Sequence, residues 1–449
     1  MQRFLCTSGG PVHFDVLVAG GGLVGACLAC SLGRLSVLKD RKLAVLEGQK
    51  LKSLDKYSKS YVPETYSNRV SAITPGSAAL LDEIGVWQDI KKTRFKQFNR
   101  MQVWDACSEA HISFNCDDVA APRMGYIVEN DVIVAALHER LKSFPNIEVL
   151  EGVRVEAIQS DNKDKASWLS CTLSNSSLLN TKLLIGADGA TSTVRRAANM
   201  ENYSYSYNQM AVVATLQLSE PSDNLTAWQR FLPSGPIALL PLSENASSLV
   251  WSTSPDHARS LLEMSGDSFV DAVNSAFCED YPRHTFVESS LATLNAIIQT
   301  VGGGANQTVF QLPPSILNVT DKSRASFPLH LGHSPQYVRR RLALIGDAAH
   351  RVHPMAGQGV NLGFSDVQCL ANLIKEAAGQ GQDLGSLHYL RSYEKERLQN
   401  VVPMMAAIDG LNRLFTTSVI PLVWARALGL QLTDAFAPVK RSIMEFAMK

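Results

Sequence analysis

Three short segments carry the residue types that a dinucleotide cofactor needs. Gly20-Gly21-Gly22-Leu23-Val24-Gly25 satisfies G-x-G-x-x-G, and Glu47 follows about 20 residues later, where such a fold holds a ribose hydroxyl. Gly186-Ala187-Asp188-Gly189 is a second glycine turn with an acid, followed by Arg195 and Arg196. Gly346-Asp347 is a third, and it runs on through His350, His353 and Pro354 to Gly357-Gln358-Gly359. Glycine at Gly20, Gly22 and Gly25 lets backbone amides approach a pyrophosphate at a helix amino end, where the partial positive charge favours an anion. Asp347 would accept from a sugar hydroxyl. Gly357-Gln358-Gly359 would bring amides to the edge of a flat, electron-accepting ring. Any one of these turns occurs in unrelated α/β proteins, but the trio in this order describes a site for FAD. Glu rather than Arg at position 47 favours an unphosphorylated adenosine ribose.

Each turn needs a strand behind it and a helix in front. Phe14 to Ala19, Leu43 to Leu46, Leu183 to Ile185 and Leu342 to Ile345 are short apolar runs that read as buried parallel strands. An apolar small-residue helix continues from the first turn to about Leu32. Arg69 stands directly before an apolar stretch and is a candidate for reaching a phosphate or the flavin edge. Met101 to Ala106 reads as a strand, and Gly125 to Leu137 as a strand turning into a helix with Asn130 near the junction. From Ala211 to Thr253 four β-branched and aromatic runs alternate with Pro and Ser, the pattern of an antiparallel sheet that would roof a substrate pocket. Trp228, Phe231 and Trp251 in it are more often core than ring-facing. Residues 282–326 read as irregular, with Gly302-Gly303-Gly304 and Pro313-Pro314. Beyond Val401 the chain reads as helical. Its two apolar faces, around Leu411 to Gln431 and Val439 to Met448, suit a membrane surface or packing on the protein body about equally.

The expected fold is therefore α/β: a Rossmann-like FAD-binding domain, an interleaved antiparallel β-sheet substrate domain, and C-terminal helices. The cofactor domain is drawn from 13–85, 125–200 and 327–400. The substrate domain takes 86–124 and 201–326, with an insertion at 282–326, and 401–449 forms the helical end.

Composition sets limits on partners. The 449 residues are 45% hydrophobic and 19% charged, with Lys+Arg and Asp+Glu both 42, so no net field favours nucleic acid. Eight cysteines lie without a framework and no secretory signal precedes them, which suits reduced thiols. Cys27 and Cys30 are better read as packing on the first helix than as a redox or metal pair, and no metal site is expected. The amino end, MQRFLCTSGGPVH, is compatible with a short remnant of a mitochondrial transit peptide. The most apolar run, Val16 to Leu32, is shorter than the roughly 20 residues a membrane span needs.

The segments GGGLVG, GADGATSTVRR and GDAAHRVHPMAGQGVNLG resemble the class A flavoprotein aromatic hydroxylases of the p-hydroxybenzoate hydroxylase type. Stretches such as YSNRVSAITPGSAALL, MQVWDACSEA, MGYIVENDVI and AWQRFLPSGPIALLPL are similar to the mitochondrial ubiquinone-biosynthesis branch of that family, from about Phe14 to the carboxyl end. The resemblance implies hydroxylation of a polyprenylated 4-hydroxybenzoate-derived ring through a flavin C4a-hydroperoxide. It places Gly20, Gly22 and Gly25 on the pyrophosphate, Glu47 on the adenosine ribose and Arg69 beside the flavin. Asn130 stands where the family often has Arg or Gln. Asp188 would brace the site, Asp347 would hold the ribityl or phosphate portion, and Pro354, Gly357, Gln358 and Gly359 would line the isoalloxazine. It further implies ferredoxin and its reductase as electron donor, other ubiquinone-biosynthesis proteins as neighbours, and a peripheral position on the matrix side of the inner mitochondrial membrane. His350 and His353, in the flavin loop, are the weak candidates for a proton role. Two rivals share the cofactor segments. One is a flavin oxidoreductase acting on a polyprenyl or quinone lipid, recognised by oxygen consumption without phenol hydroxylation. The other is an FAD-stabilised scaffold, recognised by normal complex assembly when flavin reduction is blocked.

Overall fold

The computed structural model describes residues 11–57, 65–160, 168–283, 285–301 and 310–448. Four parallel strands form the centre of one sheet in the order Leu342–Leu344, Leu178–Gly186, Val12–Ala19 and Leu43–Glu47, with Ile147–Glu151 beyond them. Helices cover the sheet, so its strands are apolar at consecutive positions rather than alternate ones: Val16, Leu17, Val18 and Ala19 are all buried. The helix Leu23–Gly33 has no polar face and is buried from Gly25 to Leu32. The helices Asn130–Leu141 and Gly359–Gly379 pack against it. Cys27 and Cys30 serve this packing; both thiols are buried and free, and burial pushes that of Cys30 up to about 12.

The second sheet runs His350–Arg351, Ala325–His333, Tyr203–Leu218, Ala246–Thr253, Gly235–Pro241, Thr226–Leu232, Arg100–Asp105 and His111–Asn115, with Ile316–Val319 alongside Tyr203–Leu218. The four strands expected between Ala211 and Thr253 pair antiparallel. The sheet as a whole is mixed, because Thr226–Leu232 lies parallel to Arg100–Asp105. Alternation assigns its two faces. Trp104, Trp228, Leu239, Leu249 and Trp251 pack on one side against Phe269 and Phe277 of a helical layer. Those two helices, Pro255–Glu263 and Gly266–Cys278, were not foreseen. Each starts at a serine, Ser254 and Ser265, that accepts the backbone N–H three residues on.

Segment 282–326 is more regular than its composition suggests. It contains the helix Thr285–Val301 and the strand Ile316–Val319, while Gly302-Gly303-Gly304 lie outside the described residues. The domain limits need similar adjustment. A boundary at 327 cuts the strand Ala325–His333, which belongs to the second sheet, and a boundary at 401 cuts the helix Leu387–Phe415. A small sheet of Val70–Ile73, Gly125–Glu129 and Lys96–Phe98 joins segments drawn in both domains.

Two further helices, Ile420–Ala435 and Ala437–Ala447, complete the chain. Arg426 is buried and meets the buried Asp105 with two bonds, Nη2 to Oδ1 at 3.0 Å and Nε to Oδ2 at 3.2 Å. Its Nη1 donates to the carbonyls of Leu414, Phe415 and Thr417. Phe415 stacks on Phe231 of the second sheet with ring centroids 3.8 Å apart. These contacts tie the carboxyl-terminal helices to the sheet edge. Among the described residues no helix is long and apolar enough to cross a membrane.

Replacing Arg426 by Ala strands a buried carboxylate, and the expected loss of unfolding free energy is about 3–5 kcal/mol. Chemical denaturation followed by circular dichroism measures it. A loss under about 1 kcal/mol would show that the pair does not hold these helices.

Candidate functional site

The three glycine turns meet at the carboxyl edge of the parallel sheet. Gly20 has φ +110°, and a Cβ there would lie 2.3 Å from the Ala187 carbonyl oxygen. A Cβ on Gly25 would lie 1.9 Å from the Gly20 oxygen. Both positions therefore require glycine, the first for its backbone angle and the second for close approach. The third turn docks on the same helix, with Gly346 and Gly363 closing around Val24. Arg195 bridges the second and third turns, donating from Nη1 to the Ala348 carbonyl at 2.6 Å and from Nη2 to the Ala190 carbonyl at 2.8 Å.

Gly22 precedes the helix Leu23–Gly33, which has no side-chain cap, and a Cβ on Gly22 would meet nothing within 4 Å. Open space before uncapped helical amides suits a pyrophosphate. Glu47 closes the adenosine side, its Oε2 accepting from Gly21 N at 2.9 Å and its Oε1 from Gln49 N at 2.9 Å. His138, unremarked in the sequence, supports the same turn. Its Nδ1 accepts from Lys52 N, so its Nε2 carries the proton and donates to the Gly21 carbonyl at 2.6 Å. Burial pushes its pKa down. Asp188 caps the helix Thr193–Ala197, accepting from the Ser192 and Thr193 hydroxyls and from the Thr193 and Val194 amides. Its carboxylate is occupied by the protein.

A cavity of about 520 Å³ lies between this edge and the second sheet. Arg69, Asn130, Asp347, Pro354, Gly357, Gln358 and Gly359 line it, whereas Gly20, Gly22, Gly25, Glu47 and Asp188 lie outside its wall. The Arg69 side chain has no ion pair or hydrogen bond among the described residues, so its charge is open to a ligand. Ser71 donates to Asn130 Oδ1 at 2.6 Å. Asp347 keeps free surface where it lines the cavity. Burial raises its pKa, with His350 and Arg351 opposing. Gly357 has φ +61°, and Gly359 begins a helix running to Gly379 without a side-chain cap. Its first residues, Gly359 to Asn361, line the cavity. Asn361, also missed in the sequence, ties this loop to the strand Val70–Ile73. Its Oδ1 accepts from Thr74 N, and its Nδ2 donates to the Ala72 and Gly357 carbonyls. A groove at Gly22, a free cation at Arg69, an acid at Asp347 and a helix amino end at Gly359 together fit FAD.

Neither histidine of the loop lines the cavity. His350 turns inward, its Nε2 2.7 Å from Asp366 Oδ2. His353 is fully buried; its Nδ1 accepts from Met355 N and its ring packs edge-on to Tyr207. Burial pushes its pKa down to about 4, so it is neutral near pH 7. The proton role considered for both gives way to a structural one.

Asp366 is the anchor. Fully buried on the helix Gly359–Gly379, it accepts from Gly346 N at 2.8 Å, His350 Nε2 at 2.7 Å and Arg397 Nε at 2.7 Å. Burial alone would raise its pKa, but His350, Arg397 and the Gly346 amide outweigh that and hold it below the usual carboxylate value. The only signal in the sequence was a charge among Phe364, Val367 and Leu370, on the apolar face of a helix.

The chain matches the FAD binding domain family over residues 13–300 and 316–407. It is 50% identical over 449 residues to the Xenopus tropicalis protein named ubiquinone biosynthesis monooxygenase COQ6, mitochondrial, covering 99% of this chain and 95% of that one. The Homo sapiens protein of the same name is 51% identical over 443 residues, with 97% and 92% covered. Among solved structures, p-nitrophenol 4-monooxygenase PnpA from Pseudomonas putida DLL-E4 aligns with a TM-score of 0.70 at 19% identity, over 97% of this chain and 99% of that one. PqsL from Pseudomonas aeruginosa, a probable FAD-dependent monooxygenase, aligns with a TM-score of 0.68 at 21% identity, over 94% and 100%. At these identities the two structures establish the fold alone.

Asp366→Asn keeps the shape and removes the charge facing His350 and Arg397. The expected result is a loss of about 3–5 kcal/mol in chemical denaturation, with a lower ratio of flavin to protein after purification. Parent-like stability and flavin content would show that the buried carboxylate does not set the Asp347 turn.

Proposed function

The chain belongs to the FAD binding domain family and, within it, to the ubiquinone-biosynthesis monooxygenases, and from that premise we propose that it hydroxylates the aromatic ring of a polyprenylated, 4-hydroxybenzoate-derived intermediate of ubiquinone biosynthesis. The observation that carries the proposal is the shared cavity. One wall is the loop shaped for a flavin, and the facing wall is the inner face of the second sheet, with Val213, Ala227, Ala238, Leu240 and Val250. A ring held there lies against the cofactor in an apolar space.

In this reading the Gly20 to Gly25 turn holds the pyrophosphate and Glu47 the adenosine ribose. Asp347 takes the ribityl or phosphate portion, Asp188 braces the turn beside it, and Arg69 and Asn130 stand at the flavin. Pro354, Gly357, Gln358 and Gly359 position the isoalloxazine. When bound, FAD supplies the activation of dioxygen and the transfer of one oxygen atom to the ring. The protein contributes orientation and dryness. The apolar wall excludes water that would divert the oxygen to peroxide, and the carboxyl-terminal residues Ala447 and Met448 help to close the cavity.

The site has a lipid-compatible surface next to it. Phe436, Val439, Ile443 and Phe446 are 60%, 49%, 44% and 53% exposed. Their spacing along and just before the helix Ala437–Ala447 forms one stripe. That helix ends at the cavity wall, so the proposal includes peripheral contact with a membrane, the matrix face of the inner mitochondrial membrane by family. Ferredoxin with its reductase as electron donor and other ubiquinone-biosynthesis proteins as neighbours rest on the family alone. The division into a discontinuous cofactor domain, a sheet domain and a helical end is part of the same reading.

Purified holoenzyme, reduced without oxygen and then mixed with oxygen and 3-prenyl-4-hydroxybenzoate, is expected to yield a product heavier by one oxygen atom, detected by mass spectrometry. Oxygen consumption with no hydroxylated product would overturn the proposal. Val439→Glu with Ile443→Glu should abolish most co-sedimentation with phosphatidylcholine–phosphatidylglycerol vesicles while leaving flavin content unchanged. Equal binding by parent and variant would remove the helix from the membrane reading.

A further inference from the structure

The inner face of the second sheet is apolar except at a few positions, and two polar residues that line the cavity have side chains with no hydrogen-bond partner among the described residues. Gln229 lies on the strand Thr226–Leu232, level with Ala238 and, one strand further, Val250. It is 6% exposed, lines the cavity, and its side-chain amide has no hydrogen-bond partner among the described residues. Ser252 lies two strands away on the same face, 1% exposed, and its hydroxyl is likewise without a partner. Other buried side-chain atoms without a partner, such as Thr215 Oγ1 and Ser248 Oγ, lie off the cavity wall, whereas His330 Nδ1 shares it. Gln102, as buried as Gln229, donates to the Gln311 carbonyl and accepts from Gln311 N, and Asn224 donates to Ser243, Ala246 and Ser247.

A buried amide without a partner destabilises the protein that carries it, whereas an apolar residue of the same shape would not. At a cavity wall such a group is placed for a ligand to complete its bonds. We propose that Gln229, assisted by Ser252, grips the oxygen substituents of the substrate ring and sets which ring carbon faces the cofactor. The inference rests on the ring-hydroxylation reading and adds a specificity-determining contact to it. Strand spacing puts the two backbones about 12 Å apart across the sheet. That gap suits one aromatic ring with polar groups at opposite ends, reached by the two side chains. The amide both donates and accepts, so it can hold a phenol hydroxyl or a carboxylate. The Ser252 hydroxyl can do the same at the other end.

The test uses oxidised holoenzyme of the parent, Gln229→Leu, Gln229→Met and Ser252→Ala. Each is titrated with 3-prenyl-4-hydroxybenzoate through the change in flavin absorbance, and thermal stability is measured without ligand. Both Gln229 variants should keep their flavin and melt at or above the parent temperature. Their dissociation constants should rise about tenfold or more, and hydroxylated product per oxygen consumed should fall. Ser252→Ala should show the same pattern more weakly. Unchanged dissociation constants in variants that fold, beside a parent that binds and hydroxylates, would overturn the grip and leave the hydroxylase reading intact. A lower melting temperature with loss of flavin in both Gln229 variants would also overturn it, by showing the amide to be structural. A parent that neither binds nor hydroxylates the phenol would sink the underlying reading, and the grip with it.

Discussion

Parallel register is the constraint on which the site depends. Ala19 pairs with Gly186, and Gly186 with Leu344, so three strands from distant parts of the chain end side by side. Whatever follows each strand must turn within a few ångströms of the other turns. Gly20 lies so close to the Ala187 carbonyl that no side chain fits between them, and Gly346 meets Val24 of the first helix. Moving one strand by a single residue would separate the pyrophosphate turn from the Asp347 turn. It would also reverse the side-chain faces that the covering helices bury. The apolar character of all three strand ends is therefore a condition of cofactor binding as well as of stability.

Polar groups around the site fall into two sets, distinguished by whether the protein uses them. Asp366, Asp188, Arg195, His138 and Asn361 spend their hydrogen bonds on backbone and side chains of the turns. They hold geometry. Arg69, Asp347 and Gln229 face the cavity with capacity unspent. Of these three only Gln229 is buried, and position on the cavity wall together with an unpartnered polar group points to a ligand where residue type alone does not. His350 makes the point in reverse. A histidine in a flavin loop invites a proton role, yet its Nε2 already faces Asp366, and Asp366 also holds Arg397.

Much of this was legible in the sequence, for definite reasons. Glycine turns after short apolar runs are local signals, and the turn chemistry at Gly20, Gly186 and Gly346 needs no long-range information. The four strands between Ala211 and Thr253 were visible through their composition. What stayed hidden depended on pairing. Trp228 and Trp251 belong to the helix-covered face and Gln229 to the cavity face, a distinction fixed by alternation only once the core side is known. The parallel contact between Thr226–Leu232 and Arg100–Asp105 joins segments more than a hundred residues apart, and neither strand announces it. The helices Pro255–Glu263 and Gly266–Cys278 have amphipathic patterns and serine caps that could have been read, but the surrounding strand texture masked them. The direction in which His350 and His353 point follows from Asp366 and Met355 N, which no spacing rule supplies.

The carboxyl-terminal helices resolve a conflict between two demands on the cavity. Ring hydroxylation needs a dry space, whereas a tailed lipid needs a way in. The Met448 carbonyl accepts from Gly76 N at 3.2 Å and the Ala447 carbonyl from Gln358 Nε2 at 3.4 Å, so the last turn of the chain lies against both the Thr74 helix start and the flavin loop. A helix end thus forms part of the cavity wall, bonded there through the Met448 and Ala447 carbonyls. The same helix carries Val439 and Ile443 on its exposed side, continuous with Phe436. Its other end is fastened, through Lys440 to Asp434 at 3.1 Å and through the Asp105–Arg426 pair of the preceding helix. An element held firmly at one end and lightly at the cavity can let a tail pass while still excluding water when seated. The buried ion pair at Arg426 fixes the preceding helix, and with it the start of the helix that reaches the cavity.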